Sequence, residues 1–482
     1  MIYEYSRAST GFWKKMNPPN PAISPAPGKR GIRRILWRIF LGCIVVVLLV
    51  FGFWRLRLAG SVHDQVAAIR EKGLPVDWKD LEHWPMAVPD EQNAALIFDQ
   101  AFEMTDSNSC YKVSRLDLPV RGAPITNREE IAGYVHPNLA AMEIIYGITN
   151  ASSSRYPINY MDGPDALLPH LPKIKTLAQL FACDALLKAD QNDPNGAVRD
   201  IEASIKLSHS LDAEPILMSQ LVSGAVLAIS TESLERTLAR TALTDEQMQQ
   251  LSGEFSSAEA TNRCWIGLVG ERAFTGEYLR MLNDDPRAAI LLANKQASGD
   301  EQTDVPPRHS GYLMRLSGFW VRDRNFFLRS MDSYISALAV TPPASLRFTN
   351  EFNNIVTNAH KGFYIMSAME LPAFNGVVIR DTDARARLRT AIAAMAIERW
   401  RAAHGDKIPD SLAELVPNFL PAVPEDPYDG EPLRFKKLAK GYVVYSIGSN
   451  GQDDGGKERI PYSVKVSQAE RNRYDITFIV ER

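Results

Sequence analysis

The sequence predicts a mainly α protein: an N-terminal transmembrane helix, a multi-helix domain, and a small C-terminal α+β domain made of one long helix and a short antiparallel sheet. Three observations carry this. An apolar run extends from Ile35 to Trp54, apolar residues recur at close to 3.6 spacing from Asn127 to about Val340, and strand-like runs appear only after residue 432.

The run 35–54 is long enough, at ~1.5 Å per residue, to cover the ~30 Å hydrocarbon core of a bilayer. Arg38 lies one turn from its start, where the side chain snorkels to the headgroups, and Trp37 and Trp54 stand near the two interfaces. Arg7, Lys14, Lys15, Lys29, Arg30, Arg33 and Arg34 precede the run against the single acid Glu4, while only Arg55 and Arg57 follow at once. The positive-inside rule therefore expects a cytoplasmic N-terminus and an extracytoplasmic chain beyond about residue 58, in a cell (inner) membrane. A cleaved signal peptide fits less well, because its charged region would exceed thirty residues and two arginines would separate the apolar core from Ala59-Gly60. An uncleaved anchor through 31–58, with a disordered cytoplasmic tail over 1–30, is expected; proline-rich 17–28 forms neither helix nor ladder.

Residues 59–125 read as a helical linker: a helix from His63, a turn at Gly73-Leu74-Pro75, a short second helix, and a further helix with Asp90 as N-cap. The helical domain, 126–345, opens with a helix from Asn127 to about Tyr146 that Pro137 must interrupt or kink. Helices over 172–190, 194–213 and 215–242 follow with short connections, so neighbours pack antiparallel. The first two resemble one tetratricopeptide hairpin, with no second copy to make an array. Thr244 caps the next helix in a capping box, helices near 264–282 and 311–340 complete the domain, and 293–310 between them is polar and loose.

After a connecting segment, 346–379, residues 380–404 form the cleanest amphipathic helix, with Leu388, Ile392, Met395, Ala396 and Trp400 on one face. Gly405 ends it, Pro409 begins a short helix, and runs at 433–435, 442–445 and 474–480 read as the sheet.

Composition excludes some functions. With 45% hydrophobic and 23% charged residues the chain is an ordinary folded protein, and a net charge of −3 gives nucleic acid no electrostatic footing. Cys43, Cys110, Cys183 and Cys264 form no CxxC; beyond the membrane they read as three buried thiols, or one bridge and one thiol left over. The histidines show no HxH or HExxH spacing, and nucleophile-elbow, P-loop and dinucleotide fingerprints are missing.

Asp426, Pro427, Tyr428 and Gly430, followed by Tyr445, Ser446, Gly448, Gly451 and Asp453, resemble the globular head of the major pseudopilin of type II secretion. The likeness covers about a fifth of the chain. As a whole the sequence resembles single-span envelope proteins of planctomycete-type bacteria, with VPDEQNAA (88–95) and LVGERAF (268–274) as further shared segments. That resemblance implies an architecture and a location, and no activity.

Three features are candidates for chemistry. Asn450, Asp453 and Asp454 lie in a glycine-rich turn whose oxygens suit a hard cation, and pseudopilin heads hold calcium in the matching loop; the alternative is a solvated turn. Glu271 and Arg272 interrupt an apolar segment as a functional pair or an ion pair between helices. Phe319, Trp320, Phe326, Phe327 and Tyr334 alternate with Arg315, Arg322, Arg324 and Arg329, in the pattern of a core face with a wet arginine face, or of a helix receiving an acidic partner or headgroups. Together these point to a non-enzymatic envelope protein offering an interaction surface to a protein partner. The alternative is a hydrolase with a site assembled from dispersed residues such as Glu271 and His209.

Overall fold

The computed structural model describes residues 29–85, 88–285, 314–460 and 464–481, so the expectations for the proline-rich tail and for 293–310 lie outside it. The chain divides into two compact units between Arg57 and Leu58. Helix α1, Lys29–Glu71, carries the apolar run. Its side chains there have no protein cover, with Val47 65% and Leu49 68% exposed, and it is long and apolar enough to cross a membrane. The sequence suggests a fresh helix at His63; instead α1 continues through Ala59 and Gly60, since a lone glycine without proline weakens a helix without ending it.

In the second unit, α2 (Trp78–Leu81) is capped by Asp77. The next cap differs from the expectation. Asp90 begins a 3₁₀ turn, Asp90–Gln92, and Asn93 caps α3, Ala94–Glu103. Asn93 also exchanges hydrogen bonds with the Arg155 backbone at 2.8 and 2.9 Å, and this long-range pairing fixes where the helix starts. Ser107–Val113 is α4, and Arg128–Val135 (α5) is joined to Leu139–Tyr146 (α6) by a single 3₁₀ turn at Pro137, where a helical N–H is missing.

Antiparallel neighbours follow: α7 (His170–Asp190), α8 (Pro194–His209) and α9 (Leu217–Leu238). The capping box of α10, Asp245–Ala260, is formed by Thr244 and Gln247 as the sequence indicates. Then come α11 (Arg263–Asp284), α12 (Phe319–Leu338), α13 (Thr349–Lys361), α14 (Ile365–Phe374) and α15 (Val377–Ala403). Strands β1 (Arg434–Leu438), β2 (Gly441–Ser446) and β3 (Ile476–Val480) form an antiparallel sheet in that order, with Val444 opposite both Phe435 and Phe478.

One core runs through regions that the sequence separates. Leu388, Met395 and Ile397 of α15 pack with Leu234 of α9, Phe255 of α10, and Val444 and Phe478 of the sheet. The tail completes the wall of the helical region, because the apolar stripe of its amphipathic helix is buried against α9, α10 and the sheet. Trp320, Phe327 and Tyr334 of α12 are buried in a second core with Leu268 and Phe352, so this aromatic face is core.

Candidate functional site

The first turns of α15 cross α9 where α9 is built from small residues. Gly224, Ala225 and Ala228 present little side chain, and a cleft of about 200 Å³ remains between them, the end of α10, the start of α11 and α15. Residues 380, 381, 384, 385 and 388 share one helical face, so Arg380, Asp381, Ala384, Arg385 and Leu388 all reach it. Glu259 closes α10 on the same side, and Arg263 and Cys264 open α11 there.

The acids of the cleft are already engaged. Arg385 donates to Asp381 at 2.8 Å and to the Glu259 carbonyl at 3.1 Å, while Arg389 takes the Glu259 carboxylate at 2.6 Å. The Tyr428 hydroxyl donates to Asp383. Burial holds the Asp383 carboxyl above its ordinary range, against the opposing pull of Tyr428 and Arg387. The bases are less well matched. Arg380 is exposed and Arg387 half-buried, and among the described residues neither has a carboxylate within ion-pair distance.

Arg263 is 7% exposed. It donates from Nη1 to the Ala258 carbonyl, lies 3.2 Å from Asp212 through Nη2, and its Nε has no hydrogen-bond partner. Burial pulls its pKa below the ordinary arginine value, and Asp212 only partly offsets this. A desolvated guanidinium with one carboxylate and a bare N–H is short of negative charge. Cys264 beside it is a free thiol that burial pushes up and keeps protonated, so it is a poor nucleophile.

The residues singled out in the sequence fall elsewhere. Glu271 accepts the Leu217 N–H at 3.1 Å on the first turn of α9, and burial pushes its carboxyl up to about 7. Arg272 pairs with Asp332 at 3.0 Å, joining α11 to α12. His209 binds Asp212 at 2.6 Å, so a His209–Asp212–Arg263 chain leads toward the cleft, but Glu271 and His209 have separate partners. Cys183 is a second buried free thiol, pushed up to about 12.

In the tail, the aspartate-proline turn is an anchor. Asp426 is fully buried and accepts from Tyr428 N–H, the Ser446 hydroxyl, Ile447 N–H and Arg434, which ties the turn to the end of β2. The following loop is closed by protein groups. Asn450 donates to Asp454 at 2.8 Å, Asp453 accepts Gly455 N–H at 2.9 Å, Arg473 lies 3.4 Å from Asp454, and Asp475 holds the N–H groups of Asp454 and Gly456. Gly451, Gly455 and Gly456 supply positive φ. Among the described residues no three His, Cys, Asp or Glu side chains converge as a ligand set, and Asn450, Asp453 and Asp454 are held in a hydrogen-bonded turn.

Arg263, Arg380, Arg385 and Arg387 escape sequence reading, because arginines on an amphipathic helix look like its wet face. Only the density of arginine in ARARLR (384–389) hints at them. No protein-family model, curated protein or solved structure matches this chain.

Proposed function

We propose that this is a membrane-anchored binding protein of the cell envelope: cytoplasmic N-terminus, one span at 35–54, and an extracytoplasmic body that holds a partner or ligand rather than turning one over. The observation that carries the reading is the bare apolar surface of α1 next to a basic N-terminal flank, which asks for lipid. Retention of the anchor is supported by the continuity of α1 through Ala59-Gly60, since this small-residue candidate cleavage site lies inside a helix. Binding rather than catalysis is supported by the occupations of Glu271 and His209, which cap α9 and pair with Asp212. The order of long helix, aspartate-proline turn and short sheet also supports a pseudopilin-like reading of the tail.

A reporter active only in the cytoplasm, fused after Arg482, is expected to be silent while the fusion sediments with membranes at its full mass. An active reporter reverses the orientation, and a product lacking its first ~60 residues replaces the anchor with a signal peptide.

A further inference from the structure

We propose that the cleft between α9, α10, α11 and α15 binds an anionic amphiphile: a single carboxylate or phosphate head on a short apolar body. This rests on reading the body as a binding module and names its ligand class.

Three independent observations converge. The first is space. Gly224 sits in the middle of α9, where glycine is costly, yet a Cβ built on it meets nothing within 4 Å, so close packing is not why a side chain is missing there. Together with Ala225 and Ala228 it leaves an apolar floor under the cleft.

The second is charge. Arg263, Arg380, Arg385 and Arg387 face Glu259, Asp381 and Asp383, and those three acids are engaged by Arg389, Arg385 and Tyr428 respectively. Arg380 and Arg387 are left for an incoming anion at the mouth. Their forked N–H groups match carboxylate and phosphate oxygens.

The third is the inner wall. Arg263 is more than nine-tenths buried, lines the cleft, and keeps an unpartnered Nε. Buried N–H groups are rarely left so without a ligand to receive them. An inorganic anion would satisfy the arginines and leave the floor wet, and a neutral apolar molecule would do the reverse. An anion with an apolar body satisfies both.

The test uses the full chain in discs of zwitterionic lipid, titrated calorimetrically with octanoate and with octyl phosphate, with empty discs subtracted. Octanol and acetate serve as the body without the head and the head without the body. At least one of the two anions is expected to bind saturably, at least tenfold tighter than either control, and which one binds separates a fatty-acid source from a phosphate source. Arg380→Gln with Arg387→Gln, neither within ion-pair distance of a carboxylate among the described residues, should weaken binding tenfold or more with an unchanged thermal midpoint. Gly224→Leu should abolish it by filling the floor; if that variant fails to fold, the surface double variant decides. Binding of neither anion, equal binding of octanol, or full affinity in the double variant overturns the proposal. Because the discs are open to solution on both faces, this outcome is independent of the orientation that the reporter reads.

Discussion

Two helices among the described residues are long and apolar enough to cross a membrane, α1 and α9, and they have opposite fates. Through its apolar stretch α1 has no protein cover, whereas α9 supplies side chains to three separate cores: Leu227, Leu234 and Leu238 to one, Val226 to another, Leu217 to the third. The difference lies in the polar residues. The α1 run carries only Arg38, one turn from its start. Along α9, Gln220 donates to the carbonyls of Leu211 and Glu214, Ser223 pairs with Ser208 at 2.7 Å, and Ser230 with Ser204 at 2.8 Å. Polar groups spaced to meet a particular neighbour mark a protein-facing helix, and an uncovered apolar run such as that of α1 is what a membrane anchor or a signal sequence presents.

The sharpest way to break this comparison is to place the same charge in both helices. Val226→Asp buries an unpaired carboxylate at a fully buried site, a cost on the order of 3–5 kcal/mol, and the body should lose its cooperative thermal transition. Val47→Asp, at a site 65% exposed, should leave that transition intact and release the protein from membranes, with an insertion penalty of about 2.5–3.5 kcal/mol. Circular dichroism and membrane flotation on both variants read the two effects. Loss of folding in Val47→Asp would mean that the α1 run is packed against protein.

That contrast also marks what the sequence made legible. Period and caps located α7, α8, α10 and α15, and the β-branched runs located the three strands, since these are local signals. Asn93 displaced Asp90 as a cap because Arg155, 62 residues away, selected it. The joining of helical region and tail into one core was not readable, as nothing in the stripe of Leu388, Ile392 and Met395 says which surface will cover it. The cleft was hidden for the same reason. Its arginines come from α11 and α15 and its floor from α9, and they become one site only after three helices cross.

A smaller effect sharpens the comparison at the far end of α9. Glu235 accepts the Ile479 N–H at 2.6 Å, tying α9 to β3, and burial pushes its carboxyl up to about 7. A carboxyl raised above its unfolded value of about 4.3 stabilises the fold most while protonated. Its contribution is therefore full below about pH 4.3 and is lost as pH rises through 7. Glu235→Gln keeps an acceptor for Ile479 and removes the titration. The variant should match the wild type near pH 4 and exceed it at pH 8 by on the order of 1–3 kcal/mol in denaturant unfolding. Asp200 and Glu271, also pushed up to about 7 chiefly by burial, titrate in the same window, so the informative quantity is the difference between the two proteins. A difference that does not change with pH would remove Glu235 from the proton linkage.

The smallest expected effect compares a glycine in each helix. A mid-helix glycine costs up to about 1 kcal/mol relative to alanine, because it surrenders more backbone freedom on folding. At both Gly224 of α9 and Gly52 of α1 an added Cβ meets nothing within 4 Å, so alanine fits either site without displacing a neighbour. Gly224→Ala should therefore raise the unfolding free energy of the body by up to about 1 kcal/mol, a gain that reaches the whole domain because α9 takes part in all three cores. Gly52→Ala stiffens only the apolar helix and should leave the body's unfolding unchanged. Chemical denaturation of the two variants under one condition measures both. A destabilised Gly224→Ala would mean that the helix needs the glycine's conformational freedom, and the space above it would then be a by-product of backbone geometry rather than room kept for a ligand.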